Sequence, residues 1–284
     1  MRTATPGISR KLSAAILGLL FASLATFAGQ KASATSNARD TVIKLVAQVQ
    51  RADYEGDRPA LRRLYSELAP FADDKEIGAR VQYWRGFALW RRAINGFNET
   101  VDPKESAADV ADATAAFRSS FAKDPAFVDA KVGAVACLGL SMWLNMKDQA
   151  RMQEFGAQAS PLMNEARTAE PDNPRLLWVL GPILWQTPPE RGGGQDKAIA
   201  TYDKGLEVIR RQKKPSDPLD PSWGEPELLM SLAWSNLNKA TPDLDAAEKN
   251  ARAALELVPY WHYTRDILMA KIREAKIKQE TKQG

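Results

Sequence analysis

The chain has 284 residues, with 39 lysines and arginines against 35 aspartates and glutamates and a formal charge of +4 at pH 7. Residues 1–34 hold four of the basic residues and no acidic one, so the remaining 35 basic and 35 acidic residues balance and give no support for nucleic-acid binding. A single histidine, His262, and a single cysteine, Cys137, exclude a zinc site made of several His or Cys ligands and a disulfide within the chain. We expect neither a metal nor a cofactor.

Residues 1–34 have the three parts of a secretory signal peptide. A basic start at Arg10 is followed by the uncharged, apolar segment 12–29 and by an A-x-A cleavage pattern that ends at Ala34. Cleavage after Ala34 is predicted, with the region just after Ala28 as the second choice and an uncleaved membrane anchor as the alternative. The remaining chain is expected to be periplasmic or secreted, without stable membrane insertion.

Residues 35–275 are predicted to form one all-α domain. Apolar residues recur at three- and four-residue spacing, alanine is abundant, and proline and glycine fall between the periodic segments. The basic end, 276–284, is predicted to be a flexible tail. The predicted helices cover 38–53, 57–69, 74–97, 106–123, 126–146, 149–169, 173–186, 194–213, 223–238, 243–257 and 260–280.

Three of these helices end in a similar way. The segments 113–125, 159–171 and 247–259 each place an alanine twelve residues before a proline, with a second small or apolar residue four positions further on. A small residue lets a neighbouring helix approach closely, and the proline ends the helix. Pro215 adds a weaker fourth member, so these helices are predicted to recur every 44–46 residues.

The segments 176–185, LLWVLGPILW, and 196–207, DKAIATYDKGLE, look like the two helices of one repeat unit. With Gly181 in the first helix and Tyr202 in the second, this unit resembles the tetratricopeptide repeat, and the resemblance extends over about 75–265. The period of that family is about 34 residues, so the longer spacing here implies longer loops. The resemblance implies stacked antiparallel helical hairpins that form an irregular α-solenoid of the exported bacterial type.

In that family the concave face, which the first helices line, binds extended peptides or chain termini. Arginine beside tryptophan suits such a face, because it joins a bidentate hydrogen-bond donor to a large apolar surface. The alternative is that these rings pack between helices, which is expected above all of Trp143 and Trp261. Carried over residue by residue, the resemblance places on the concave face the candidate partner-binding residues Arg80, Tyr83, Trp90, Arg175, Trp178, Trp185, Gln186 and Trp234, together with Phe87, Arg91, Glu227 and Asn238.

Three other features are predicted to be structural. The three glycines at 192–194 precede a helix, as in phosphate-binding loops, but such a loop follows a strand, whereas a helix and two prolines precede these glycines, and a flexible connection is expected. Cys137 lies in an apolar helix and is expected to be a buried, unreactive thiol. His262 has no candidate nucleophile near it, so no catalytic residue is assigned.

Three functions stay open on the sequence. The first is a non-catalytic, exported adaptor or scaffold that binds a protein or peptide through its concave aromatic and arginine surface. The second is a periplasmic, transport-associated protein that binds a small organic ligand; a looser resemblance to the exported helical component of some tripartite ATP-independent transporters fits it. The third is an enzyme with paired carboxylates, ranked last because no pair stands out. An open groove favours the first function and an aromatic pocket the second.

Overall fold

The computed structural model describes residues 37–283, so the predicted leader and its cleavage site lie outside the described residues. The chain divides into two units, Met1–Val42 and Ile43–Gly284. The part of the first unit that is described, 37–42, is helical. All helices, contacts and sites below belong to the second unit.

The described part of the second unit is all-α, as predicted, and contains no strand. A π-helical turn, Tyr263–Leu268, leads into its last helix. The predicted helix positions are confirmed to within a few residues. The helices are α1 (43–55), α2 (Arg58–Glu67), α3 (Gly78–Asn95), α4 (Pro103–Lys123), α5 (Val128–Leu144), α6 (Gln149–Ala169), α7 (Pro174–Gln186), α8 (Gln195–Arg211), α9 (Glu225–Asn238), α10 (Leu244–Leu257) and α11 (Met269–Gln283).

Successive helices pack in pairs: α3 with α4, α5 with α6, α7 with α8 and α9 with α10. Each pair also contacts the next pair along the chain. We call α3, α5, α7 and α9 the first helices and α4, α6, α8 and α10 the second helices. The arrangement is a stack of helical hairpins, which confirms the predicted fold class, an all-α, solenoid-like stack.

The residues of the repeated sequence pattern lie where the second helices contact their neighbours. Ala113, Ala166 and Ala254 are fully buried. A Cβ atom added to Gly181 in α7 would lie 2.0 Å from the ring of Tyr202 in α8, so a glycine is needed for these two helices to approach so closely. The close packing inferred from the small residues of the pattern is therefore confirmed.

Local sequence determines where several helices begin and end. The side chains of Asp57, Asp102 and Asn173 accept hydrogen bonds from backbone N–H groups in the first turns of α2, α4 and α7. Each of these caps is followed by a proline at the first or second helical position, where a missing N–H group costs nothing. Pro125 and Pro171 follow the ends of α4 and α6, as predicted for helix-terminating prolines.

The links between the pairs differ in length. Two of them are short, at 124–127 and 170–173, whereas the link from α8 to α9 covers 212–224. This long link, which we call the strap, contains three prolines. It folds back onto the first helices and buries Leu219 and Trp223. The sequence predicts a break between helices here, but it does not predict that the strap packs against α3 and α7.

The segment predicted to be a flexible tail, 276–284, is helical as far as Gln283. Lys276 Nζ lies 2.7 Å from a carboxylate oxygen of Asp245 and 2.7 Å from one of Glu248. These ion pairs attach α11 to α10 and stabilise the helix at Lys276, so that it continues beyond this residue. No helix among the described residues has both the length and the hydrophobicity to cross a membrane.

Candidate functional site

The strap defines an inner face of the stack, which is the surface of the first helices on the strap side. One half of this face lies under the strap, against Phe87 and Trp90 of α3 and the first turns of α7 and α9, and we call it the deep half. The other half lies toward the C-terminal ends of the first helices, and we call it the open half. The two halves differ in burial.

Trp223 of the strap fills the deep half. The centroid of its ring lies 5.5 Å from that of Phe87, 5.9 Å from that of Trp90 and 5.6 Å from that of Trp178. Its indole Nε1 donates a hydrogen bond to Tyr83 Oη over 2.8 Å. Inclined aromatic pairs of this kind add stabilising free energy to that gained from burying their surface. The strap is therefore part of the packed interior.

Two arginines of the predicted binding surface hold the strap in place. Arg80 Nε lies 2.7 Å from a carboxylate oxygen of Asp220 in the strap. Arg175 Nε lies 2.6 Å from Asp129, and a second guanidinium nitrogen of Arg175 donates to the backbone carbonyl of Trp223 over 3.2 Å. Both arginines therefore have carboxylate partners within the chain, and their predicted contact with a partner stays a prediction.

A buried polar cluster lies at the start of α9. Arg91 Nε lies 2.8 Å from both carboxylate oxygens of Asp53. Glu227 accepts a hydrogen bond from Tyr54 Oη over 2.8 Å and another from the backbone N–H of Gly224, the last strap residue, over 2.9 Å. Burial raises the pKa of Glu227, and the positive charge of Arg91 opposes that shift. Within this cluster the guanidinium group of Arg91 is paired with Asp53, and its charge also acts on Glu227.

The inner face opens toward the C-terminal ends of the first helices. Along α9 the exposed fraction rises from 0% at Glu227 to 8% at Ser231 and 37% at Trp234. Along α7 the side chain of Trp178 is partly buried, and Pro182, one turn further on, is exposed. The same trend in two neighbouring first helices shows that the strap covers only one half of the inner face.

Two aromatic pairs lie at the ends of the first helices, where Phe97, Trp143 and Trp234 are exposed and Trp185 is partly buried. The ring centroids of Trp185 in α7 and Trp234 in α9 are 5.1 Å apart, with an interplanar angle of 63°. Those of Phe97, just after α3, and Trp143 in α5 are 4.8 Å apart, with an angle of 59°. Trp143 shares a helix face with Asp129, because residues about two heptads apart lie on the same side of a helix. We call these four residues the aromatic rim.

The eight candidate residues divide between the two halves. Trp185, Gln186 and Trp234 are exposed or partly exposed at the open half. The other five lie in or next to the deep half, where Tyr83 and Trp90 are buried and the remaining three are partly buried. These five are Arg80, Tyr83, Trp90, Arg175 and Trp178.

Trp143 and Trp261 were both expected to pack between helices, and only one of them does. Trp261 is buried and packs against Tyr54, as expected. Trp143, also expected to pack between helices, is instead 53% exposed. Trp143 and its partner Phe97 were therefore not predicted as candidate site residues. The face that Trp143 shares with Asp129 on α5 was the signal that could have placed it on the inner face.

Other features of the sequence have structural explanations. Among the described residues no group of three or more His, Cys, Asp or Glu side chains could hold a metal ion. Cys137 is buried, which raises the pKa of its thiol. His262 Nδ1 lies 2.8 Å from Asp266 Oδ2 at the surface. All three backbone N–H groups of the 192–194 loop donate to carbonyl oxygens of the chain, so the loop does not present them to a phosphate.

A hollow of about 570 Å³ lies between the link from α9 to α10 and helix α11. Polar and charged residues dominate its lining, including Lys239, Asp243, Lys276 and Glu280, and no aromatic residue contributes. Lys276 is already bonded to Asp245 and to a second carboxylate. The aromatic rim, and not this hollow, therefore has the chemistry of a site for an apolar ligand.

No family model matches the chain, and no curated protein does. Among solved structures, the HusA haemophore from Porphyromonas gingivalis has a similar fold, with a TM-score of 0.54 at 20% sequence identity. The match covers 72% of this chain and 97% of the other. At this level of identity the likeness is one of fold, and the resemblance to the tetratricopeptide repeat stays a prediction.

Proposed function

We propose that this chain is an exported, non-catalytic protein that binds a flat, largely apolar organic molecule of the porphyrin class at its aromatic rim. The observation that carries the proposal is two aromatic pairs at the surface, Phe97 with Trp143, both exposed, and the partly buried Trp185 with the exposed Trp234. Aromatic rings that remain exposed to water do not gain the favourable free energy of burial. Clusters of such rings on a protein surface are therefore typical of binding sites.

The arrangement of the rim suits a flat ligand. In both pairs the rings are inclined to each other by about 60°, an arrangement in which a flat ligand can stack on one ring and contact the edge of the other. Gln186 and Asn238 are exposed at the same ends of α7 and α9 and offer hydrogen bonds to polar substituents. A mostly aromatic surface with a few polar groups is typical of sites for organic ligands.

The structural neighbour supports the ligand class. HusA is named as a haemophore, and haem is a flat and largely apolar macrocycle. The similarity spans nearly all of the HusA chain, although the sequences share only 20% of their residues. The rim of this chain supplies a separate argument, since it rests on residues and distances rather than on the neighbour's name.

The same geometry weakens the adaptor function. A peptide on the inner face would lie where the strap already lies, and it would have to displace Trp223, which is 4% exposed. Arg80 and Arg175, the residues expected to hold a chain terminus, are paired with carboxylates of the chain. Binding of a small ligand at the rim requires no such displacement, so the small-molecule function is favoured over the peptide adaptor.

On the basis of the sequence we also propose that the chain is exported and non-catalytic. The predicted leader would send the chain out of the cytoplasm, where a protein that captures a free ligand operates. The carboxylates of Asp53, Asp129 and Glu227 are engaged by arginine or tyrosine within the interior. They serve the fold, so none of them is proposed as a catalytic acid or base.

The test is a titration of the purified protein with protoporphyrin IX and with its iron complex, followed by Soret absorbance and equilibrium dialysis. Replacing both Trp185 and Trp234 by alanine should weaken binding at least about tenfold, because each ring contact is worth roughly 1 kcal/mol and each tenfold step about 1.4 kcal/mol. Leu257→Ala is the matched control. It removes an apolar side chain of comparable exposure from α10 and should change the affinity less than about twofold.

Circular dichroism melting separates loss of the site from loss of the fold. The double variant and the control should both melt within a few degrees of the wild type, because the replaced side chains are partly or largely exposed. Equal affinity of the double variant and the wild type would reject the assignment of the rim. An absence of saturable binding of either porphyrin would reject the ligand class.

A further inference from the structure

Trp178 separates the two halves of the inner face. Its Nε1 donates a hydrogen bond to Ser231 Oγ over 2.9 Å, which ties α7 to α9 at this level. Its ring centroid lies 5.8 Å from that of Trp90 and 5.6 Å from that of Trp223, with both rings steeply inclined to it. Pro182, one turn toward the open half, is exposed. Trp178 therefore has the open half on one side and the ring of Trp223 on the other.

Trp223 reaches this position from the strap and not from a helix. Residues 212–216 of the strap are exposed, and Gly224 ends it with a φ of +134°, a backbone conformation that favours glycine. The indole is fixed by its hydrogen bond to Tyr83, and the strap backbone is fixed by the contact from Arg175 to the Trp223 carbonyl. Shortening the side chain of Trp223 therefore removes one ring without removing any part of the first helices.

We propose that Trp223 is a specificity-determining residue that sets the depth of the ligand site, and with it the largest ring system that the site accepts. This inference rests on the proposed function, because it concerns the same site. While the indole is present it supports Trp178 from behind, and a ligand in the open half meets Trp178 as a floor. Without the indole, the space bounded by Phe87, Trp90 and Trp178 is empty. Trp178 then tilts into that space and a large flat molecule enters further.

The experiment compares the wild type with Trp223→Ala and Leu219→Ala, with protoporphyrin IX as the large probe and indole as the small one. Trp223→Ala should bind protoporphyrin IX at least about tenfold more tightly, because more of the macrocycle is removed from water. Leu219→Ala truncates another buried strap residue, one whose carbonyl is bonded to Trp84 rather than one that supports Trp178. Its affinity should stay within about threefold of the wild type.

Indole provides a check on the mechanism. Added to Trp223→Ala, it should refill the vacated space, raise the melting temperature and abolish the gain in porphyrin affinity. It should do none of these to the wild type. Should Trp223→Ala fold poorly, Trp223→Leu keeps more of the packing and should show a smaller gain of the same sign.

The outcomes separate this inference from the proposed function. If the wild type binds protoporphyrin IX and both Trp223 variants bind it equally well, the role of Trp223 is rejected and the proposed function stands. If only the Trp223 variants bind it, the role of Trp223 stands and the porphyrin function of the natural chain is rejected. If no form binds it, both are rejected. If Leu219→Ala gains as much as Trp223→Ala, general loosening of the strap replaces the role of Trp223.

Discussion

The close approach of α7 to α8 depends on one missing atom, the Cβ of Gly181. A Cβ built there would lie 2.0 Å from the ring of Tyr202, and a Cβ on Gly133 would lie 2.5 Å from the ring of Phe117. Both distances are far inside van der Waals contact. At Gly139, also in α5, no atom lies within 4 Å of an added Cβ. Packing therefore requires a glycine at positions 181 and 133 but not at position 139.

This difference predicts opposite effects of one added methyl group. Gly181→Ala should lower the free energy of unfolding by about 1–3 kcal/mol, because Tyr202 or the helix has to move. Gly139→Ala, the matched control, should raise it by up to about 1 kcal/mol, since alanine favours helix and the methyl meets no neighbour. Urea unfolding followed by circular dichroism measures both changes. A neutral Gly181→Ala or a destabilised Gly139→Ala would contradict this account of the packing.

The exposure of the tryptophans is harder to predict from the sequence than the packing of the glycines. Trp90 and Trp234 both lie on first helices and were both predicted for the same face, yet one is 2% and the other 37% exposed. The difference comes from the strap, which covers the deep half and leaves the rim. No pattern within the first helices encodes that cover, so the sequence indicates the helix on which each tryptophan lies but not how exposed its side chain is.

Among the elements of the fold, the strap has the largest effect on the site. The short links at 124–127 and 170–173 only connect helices, whereas the strap contributes side chains to the interior. Helix ends were predictable because caps and prolines act locally. The partners of the strap, Trp84 in α3 and Arg175 in α7, lie far from it in the chain, which is why its packing was not predicted. Three prolines and one tryptophan in a single link were the available signal.

From its contacts with Asp129 and with the strap, we expect Arg175 to be required for stability. Arg175→Ala should lower the free energy of unfolding by about 3–5 kcal/mol, because it leaves the carboxylate of Asp129 buried without its partner. Arg211→Ala is the matched control. It breaks a surface pair with Glu207 whose side chains are both more than half exposed, and it should cost less than about 1 kcal/mol. Chemical denaturation of both variants decides the point, and equal effects would mean that the Arg175 pair does not hold the strap.

Over the whole of the described second unit, polar contacts join helices that a simple stack would keep apart. In a stack of repeats each unit contacts its neighbours. Here Tyr54 of α1 is hydrogen-bonded to Glu227 of α9, 173 positions away, and Asp53 of α1 is paired with Arg91 of α3. The stack itself could be predicted, because its pattern repeats along the chain. The connection between α1 and α9 could not, because neither Asp53 nor Glu227 belongs to a repeated motif.

This connection should make stability depend on pH in a definite direction. Burial raises the pKa of Glu227, so the folded chain holds that proton more strongly than the unfolded chain, where the pKa is about 4.3. As the pH falls from neutral toward that value, Glu227 takes up its proton in the folded state first, and folding becomes more favourable. Glu227→Gln carries no titrating group. The stability of the wild type relative to Glu227→Gln should therefore rise between about pH 7 and pH 5.

The control for this pH dependence is Glu248→Gln. Hydrogen bonds from Lys276 and Arg252 lower the pKa of Glu248, so its contribution is complete above the unfolded-state value and is lost only at lower pH. The stability difference between wild type and Glu248→Gln should stay constant between about pH 7 and pH 5 and shrink below about pH 4.5. Urea unfolding at a series of pH values gives both curves. A difference for Glu227→Gln that is flat over pH 7 to 5 would mean that Arg91 keeps Glu227 charged, and that burial does not control the pKa of this carboxyl group.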